Sequence, residues 1–138
     1  MPTFTHGKAT VFKVDNSGGS LTDISDVLTD VSFPQTIETA ETTSFGSNAK
    51  TYIVGLTDAT ISVSGNFDTT VDAHLSGVLG QAATLSFEYG PEGDTALDAK
   101  YTGECLMTSY EKSGTVGDVV TFSAEFQVTA AVTRGAYA

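Results

Sequence analysis

ATISVSGNF, residues 59 to 67, alternates between two kinds of side chain at every step. The side chains of one face are apolar or small: Ala59, Ile61, Val63, Gly65 and Phe67. Threonine, serine and asparagine occupy the positions between them, and successive residues of a β-strand point to opposite faces. The stretch therefore predicts a strand that packs one face against a core and leaves the other face polar.

Runs with strand character continue on both sides of this stretch, separated by turn sequences rich in glycine, asparagine and aspartate. The 22 threonines and 13 serines, a quarter of the 138 residues, also favour pleated strands over helices. Leu21, Ile24, Val27 and Leu28 fit a helical turn, but residues 27–33 also fit a strand, which is preferred, and Pro34 ends that region. The sequence predicts an all-β sandwich or barrel of about seven or eight mainly antiparallel strands. Besides 59–67 and the hairpin described below, the predicted strands are residues 9–14, 27–33, 83–89, 100–110 and 119–128.

One short flanking helix is predicted directly after this strand, over residues 69–79. Thr69 and Asp72 have the spacing of a capping box, and Gly80 follows the last apolar position. The apolar positions recur at i, i+4, i+7 and i+8, which is the pattern of an amphipathic helix that packs on a sheet. They are Val71, Leu75, Val78 and Leu79.

The stretch that precedes residues 59–67 is longer and more polar than the rest of the chain. In residues 34–55, β-forming segments flank a short turn at Gly46, which predicts a long projecting hairpin. Its apolar side chains are too sparse to form a core, yet are costly to leave in water. We therefore expect the hairpin to dock on the open sheet edge of another copy. The predicted interface residues are Ile37, Thr43, Phe45, Tyr52 and Ile53.

Composition narrows the class of protein. A length of 138 residues with 40% hydrophobic content predicts one domain, residues 1–138. With 17 acidic residues against 6 basic ones, a net charge of −11, the chain lacks the clustered cations that specific nucleic-acid binding needs. Neither a signal-like segment nor an apolar run of about 20 residues is present, so we expect synthesis in a cytoplasm and no membrane partner.

The histidines and the cysteine give little support to catalysis. His6 and His74 lie in no metal or nucleophile motif, and His74 is expected to be a structural residue of the helix. Cys105 alternates with apolar residues on a strand and is expected to pack as a small apolar side chain. We expect neither an enzyme nor a catalytic residue.

Two further stretches contain residues that are common in ligand sites. Acidic residues gather around the turn at residues 88–98, but they lack the ordered spacing of a calcium loop, so a solvated turn is preferred. Gly18 and Gly19 are followed by neither lysine nor a helix suited to phosphate. We expect no metal and no cofactor.

Three segments carry a resemblance to a known family. They are FPQTIETAETTSFGSNAKTYIVGLTDATISVSGNFD (33–67), EYGPEG (88–93) and DVVTFSAEFQVTAAVTRG (118–135). Together with the overall order of strands, helix and hairpin, they resemble the tail tube, or major tail, proteins of long-tailed phages, especially siphoviruses of actinobacteria. The likeness extends from about residue 10 to residue 135.

The resemblance implies a virion protein whose hexameric rings stack into a hollow tail tube through which DNA passes. It implies that residues 34–55 dock on neighbouring subunits and that the segments 2–8 and 129–138 join the contacts between rings. The implied partners are further copies of the chain and the tail terminator, distal tail and tape measure proteins. Assembly would take place in the cytoplasm of the host bacterium.

The negative charge suits this role, because carboxylates along a lumen repel phosphates and leave DNA no site to bind. Glu88, Glu104 and Glu125 lie at polar positions of the late strands and are the candidates. An orientation toward outer solvent is equally compatible with the alternation.

Two other functions remain open from the residues. A capsid decoration protein, which clamps a phage head as a trimer, would share the small β-fold but would need the long hairpin less. An immunoglobulin-like adhesion module would also share the fold, although this chain has no tryptophan for an exposed binding platform.

Overall fold

The computed structural model describes residues 7–46 and 48–137, and strands dominate them. The one α-helix is α1 (Thr69–Val78), and short 3₁₀ helices occur at Gly7–Ala9 and Ser25–Val27. The described residues hold nine strands, more than the predicted seven or eight, because the shortest two are too short to show alternation. The strands are β1 (Val11–Asp15), β2 (Leu21–Asp23), β3 (Leu28–Ser32), β4 (Gln35–Glu41), β5 (Tyr52–Asn66), β6 (Leu85–Gly90), β7 (Ala99–Ser113), β8 (Thr121–Val128) and β9 (Thr133–Ala136).

All strand pairs are antiparallel, and the main order is β2-β1-β6-β7-β8-β5-β3. β4 adds to β5 beyond the end of β3, and β9 adds to β7 beyond the end of β8. The two ends of this order, β2 and β3, are joined by only the few residues between Asp23 and Leu28. Because so short a connection spans at most about 18 Å, the sheet must curl until its ends approach each other.

Ring contacts across the interior show the same curl. The rings of Phe12 on β1 and Phe126 on β8 lie 5.9 Å apart, although β6 and β7 separate their strands. In a flat sheet three strand spacings would put them about 14 Å apart. Phe33, just after β3, likewise makes an edge contact with Phe87 of β6, at 5.7 Å. The predicted all-β fold, a sandwich or barrel with one flanking helix, is confirmed, and the curl of the sheet makes it barrel-like.

The core fills the inside of this curled sheet. The predicted inward face of residues 59–67 is buried from Ala59 to Gly65, whereas Phe67 follows the strand and is partly exposed. None of the described polar or charged residues is buried. The side chains that bury most volume are apolar: Phe12, Phe87, Phe126, Ile24, Ile61, Leu75 and Leu85.

The helix packs on this core, with Leu75 and Val78 buried. Its N-cap is Asp68, whose carboxylate accepts hydrogen bonds from the backbone N–H groups of Thr70 and Val71 at 3.1 and 3.2 Å. The predicted capping box was therefore wrong: Thr69 already lies inside the helix, and the aspartate before it caps the helix. Gly80 adopts a φ of 79° just past the end, as its position predicts.

Polar contacts complete the attachment of the helix. The hydroxyl of Tyr110 on β7 donates to Asp72 at 2.7 Å, and Nε2 of His74 lies 2.9 Å from the carbonyl oxygen of Asp15 on β1. The segment that fitted either helix or strand contains both, since the 3₁₀ turn leads directly into β3. No helix among residues 7–46 and 48–137 is long and apolar enough to cross a membrane.

Candidate functional site

The hairpin formed by β4 and the first half of β5 projects from the barrel, as predicted for residues 34–55. We call residues 34–58 the arm. Its strands pair from Gln35 with Ala59 to Glu41 with Tyr52, and the Thr42 N–H donates to the Thr51 carbonyl at 2.7 Å. β5 then continues without a break into the barrel, so the arm is an extension of a core strand.

The arm exposes nearly all of its apolar side chains. Every residue of β4, and every β5 residue before Ala59, is exposed, and Phe45 near the hairpin tip is completely exposed. A two-stranded ribbon without a packed face is at best marginally stable in water. The exposed large apolar residues of the arm are Ile37, Phe45, Tyr52, Ile53, Val54 and Leu56.

Four of the predicted interface residues are therefore exposed apolar groups, spread along the arm from Ile37 near its base to Phe45 near its tip. Tyr52 and Ile53 are adjacent on β5 and point to opposite faces. Thr43 is different, because its hydroxyl oxygen accepts a hydrogen bond from the Thr51 N–H at 2.9 Å and so stabilises the hairpin turn. Val54 and Leu56 were missed. The signal was present in the run YIVGL, where both continue the strand beyond Ile53.

A bulge lies where the arm is about to enter the barrel. The pairing of β4 with β5 shifts between Ile37 and Thr39, and Gly55 lies opposite this irregularity. A Cβ atom on Gly55 would approach the carbonyl oxygen of Glu38 to 3.1 Å. The glycine thus allows the close approach of the two strands, and bulges increase local twist.

A recess opens beside the base of the arm. β8 stops pairing with β5 at Thr60. The β5 edge that faces away from β4 therefore has no ladder partner over residues 52–58 among the described strands. The irregular residues 129–132, which join β8 to β9, form the opposite wall. The recess has a volume of about 460 Å³, and its apolar lining includes Ile37, Leu56, Ala59, Val128, Ala130 and Val132.

The three predicted lumen carboxylates lie on one face of the sheet, the outward face of β6, β7 and β8. Glu125 is exposed, while Glu88 and Glu104 are partly buried. The carboxylate of Glu104 accepts hydrogen bonds from the hydroxyls of Thr84 and Ser86, at 2.8 and 2.6 Å. Only one of the three is therefore fully open to a molecule that passes along this face.

Two further carboxylates on this face were missed. The pairing of β7 with β8 shifts between Met107 and Ser109, which turns Glu111 to the outward face. Asp30 of β3 joins Glu111 and Glu125 around a shallow serine-rich depression of about 300 Å³. Strand alternation without the bulge places Glu111 on the inner face, so sequence alone gave no signal for it.

His74 and Cys105, which were considered as catalytic candidates, occupy positions where they contribute to the fold. His74 contacts Asp15 as described, and His6 lies outside the described residues. Cys105 is completely buried, and burial, followed by the nearby charges of Glu104 and Asp15, raises the pKa of its thiol to about 12. A thiol that stays protonated at neutral pH is a poor nucleophile.

The acidic turn is held together by its own carboxylates. Glu92 accepts from the Ala99 N–H at 3.2 Å and Asp98 from the Thr95 N–H at 3.1 Å, while Asp94 lies 3.5 Å from the Lys13 ammonium. Within residues 7–46 and 48–137, no group of histidine, cysteine and carboxylate side chains is arranged to hold a metal ion.

Comparison with known structures shows the same fold in assembled particles. The chain is similar to a protein of the virion of a native gene transfer agent (TM-score 0.80, 19% identity, 96% of this chain and 99% of that one). It is also similar to the tail of an empty gene transfer agent particle with C6 symmetry (0.79, 18%, 94% and 98%). A third similar structure is the SPP1 tail tube (0.75, 13%, 96% and 80%).

A comparison of sequence families gives the identity. No curated protein sequence matches the chain significantly. The model of the phage tail tube protein family matches residues 4–134, which is nearly the whole sequence. The chain therefore belongs to the phage tail tube protein family and is a structural protein of the virion tail.

Proposed function

We propose that six copies of this chain form a ring, and that rings stack into the hollow tube through which phage DNA leaves the particle. Residues 1–138 act as one tube-forming domain, without catalysis and without a cofactor. The C6 symmetry of the similar gene transfer agent tail supports the number six. The tail terminator, distal tail and tape measure proteins are the proposed partners at the ends and in the interior of the tube.

The arm is the observation that carries this proposal. It presents Ile37, Tyr52 and Ile53 to solvent, each more than half exposed, on a ribbon whose outer strand edge is unpaired. The apolar contacts that the arm lacks within one chain must come from elsewhere, and association is favoured because it removes this surface from water. A neighbouring copy supplies them in a tube.

The outward face of the sheet is the proposed wall of the lumen. Glu125, Glu111 and Asp30 provide exposed negative charge there, and Glu88 and Glu104 add charge closer to the protein surface. Serine hydroxyls keep the surface polar around Glu125, Glu111 and Asp30, whereas Lys13, the cross-strand partner of Glu88, places a cation on the same face there. Such a wall repels DNA phosphates over a Debye length of about 8 to 10 Å.

Assembly tests the proposal directly. The purified protein at high concentration should form tubes or six-fold rings in negative-stain images. Ile53→Asp should abolish them while leaving the circular dichroism spectrum of the monomer unchanged, because burial of an unpaired carboxylate is costly only in the interface. Ala82→Asp adds the same charge at an exposed loop position outside the arm and should assemble normally.

The same images separate the proposal from the capsid alternative. Trimers that bind phage heads and never stack would contradict the tube, and a monomer at every concentration would contradict both. No observation on the structure favours the decoration function, and the long arm counts against it.

The lumen assignment has its own test. In tubes of a Glu125→Cys variant, a bulky maleimide-linked polymer should fail to modify the new thiol, whereas it should modify the monomer fully. The native Cys105 is buried and stays silent. Modification at equal rates in tubes and monomers would show that Glu125 faces outer solvent.

A further inference from the structure

The exposed apolar side chains gather mainly at two opposite ends of the molecule. One end is the arm with its recess. The other is the turn between β7 and β8, residues 114–120, where Val116 is completely exposed and Val119 is 63% exposed. We call this turn the tip.

The register of β5 places the tip far from the recess. Asn66 pairs with Thr121, and the Phe67 N–H donates to the Val120 carbonyl at 2.8 Å, so the tip adjoins the C-terminal end of β5. Ala59, at the recess, lies seven residues earlier on the same strand. At about 3.3 Å per residue the two sites are separated by roughly 23 Å along the strand.

The tip is built as a defined projection. The Asp118 N–H donates to the Thr115 carbonyl at 3.0 Å, and Gly117 supplies a positive φ of 87°. This turn leaves Val116 at its apex without shielding from its own chain. An apolar side chain held outward by an ordered turn has a fixed place to contact a partner.

Stacking in one direction relates these two ends. In a polar stack of identical rings the contact between rings is heterologous, so one end of each subunit meets the opposite end of a subunit in the next ring. We take the direction of β5, which runs from the arm end to the tip end, as the direction of stacking, so the arm end of one subunit contacts the tip end of the next. At the arm end, the recess is a concave surface whose apolar side chains lie beside threonines, Gln35 and Asp58. At the other end, the tip is a convex surface that exposes Val116 and Val119.

We infer that the tip of each subunit, with Val116 at its apex, inserts into the recess at the arm base of a copy in the adjacent ring. The inference rests on the proposed stacking of rings and names the two surfaces that meet. Val116 and Val119 contact the recess lining around Leu56 and Ala130, and the arm passes beside the inserted tip.

A charge at the tip tests the contact. The double variant Val116→Asp, Val119→Asp should still form rings, but the protein concentration needed for tubes should rise about tenfold or more, because carboxylates would be buried without partners. Ala82→Asp, Ala83→Asp carries the same added charge on an exposed loop that belongs to neither the tip nor the recess lining and should stack like the parent. Tubes of normal length from the tip variant at the normal concentration would overturn the inference.

A disulfide test locates the contact independently of any loss of stability. In tubes of Val116→Cys, Ala130→Cys, oxidation should link subunits into ladders on a denaturing gel, because disulfides form when the two Cα atoms are about 4.4 to 6.8 Å apart. Each single variant should give no ladder. Tubes without a ladder from the double variant would overturn the pairing of tip and recess while leaving the tube itself intact. A parent protein that forms neither rings nor tubes would instead overturn the proposed function, and this inference with it.

Discussion

The two halves of β5 have similar strand-forming sequences but opposite surroundings. In the barrel half, Ile61 and Val63 are buried among inward side chains, whereas in the arm half Ile53 and Val54 are mostly exposed. The barrel half has neighbours on both edges, and the arm half only on one. The comparison teaches that strand propensity alone does not decide what stabilises a strand. The barrel half is stabilised by its own chain, and we propose that the arm half is stabilised by contacts with another copy.

Amide hydrogen exchange should show the largest difference between the two halves. In the monomer we expect the Thr42 amide in the arm to exchange about a thousand times faster than amides of residues 61–64, because the arm opens locally and the barrel only by global unfolding. In tubes the Thr42 amide should become slow. Equally slow exchange in monomer and tube would show that the arm needs no partner, and would remove the basis of the comparison.

A matched pair of substitutions should separate the halves energetically. Ile61→Ala removes a completely buried side chain and should lower the free energy of unfolding by about 2 to 5 kcal/mol. Ile53→Ala should change the same quantity by less than about 0.5 kcal/mol, while raising the concentration required for tubes. Urea unfolding of the monomer gives the first result, and light scattering during assembly gives the second.

The outcome that would contradict this pair is a large loss of monomer stability in Ile53→Ala. It would mean that Ile53 packs within its own chain in solution. Unchanged assembly of the same variant would show that the side chain does not contribute to the interface.

Alkaline pH should lower the free energy of unfolding through a buried group of the barrel, and substitutions in the arm should not change this effect. Burial raises the pKa of Cys105 from 9.0 to about 12, so above pH 9 the unfolded chain releases a proton that the folded chain keeps. The contribution of the Cys105 thiol to the free energy of unfolding is fully present below pH 9. It is lost as the pH rises toward 12, at up to about 1.4 kcal/mol per pH unit. Cys105→Ala should flatten the fall of unfolding free energy with pH. Ile53→Ala should keep the parent slope.

Tyrosine side chains contribute to the fall of the unfolding free energy with pH that remains in Cys105→Ala. Burial and then the charges of Glu88, Asp94 and Asp23 raise the pKa of Tyr137 to about 12. Its ionisation therefore also lowers the free energy of unfolding as the pH rises. An identical slope in Cys105→Ala and the parent would show that the thiol is accessible in the folded state, against its position in the core.

Local patterns predicted the parts of the molecule that depend on neighbours in sequence. The alternation of residues 59–65 gave the strand face correctly, because it is determined within a few residues of one strand. The apolar spacing gave the helix and its buried Leu75 and Val78, but the prediction for Leu79 was wrong, since it follows the helix and is exposed. The hairpin and its exposed apolar side chains were also visible, since the run around Ile53 is β-forming but has no core pattern.

The rest depends on pairing between distant segments. The bulge after Met107 cannot be recognised without knowing the β8 register, and it decides that Glu111 faces outward. The recess is formed by residues 35–37, 56–59 and 128–132, which meet only when β5 pairs with both β4 and β8. Strands as short as β2 and β9 exist because a neighbouring strand offers an edge, and their own residues show no period.

Gly55 gives the smallest and most local test, because it lies in the arm half of β5, a few residues before the strand enters the barrel. An added methyl group at Gly55 would meet the carbonyl oxygen of Glu38 at 3.1 Å, so Gly55→Ala should force the bulge to shift and redirect the arm. The exposed ribbon can relax, so the monomer should lose no more than about 1 kcal/mol. Tube formation should weaken by about two- to fivefold, as read from the protein concentration at which tubes first form.

Gly77→Ala is the matched control, since its methyl group would lie at an ordinary 3.6 Å from Ser17 on the outside of α1. It should stabilise the monomer slightly through helix propensity and leave assembly unchanged. If Gly55→Ala assembled at the parent threshold, the direction of the arm would not depend on the bulge, and its contacts would have to be set beyond the junction, near Phe45.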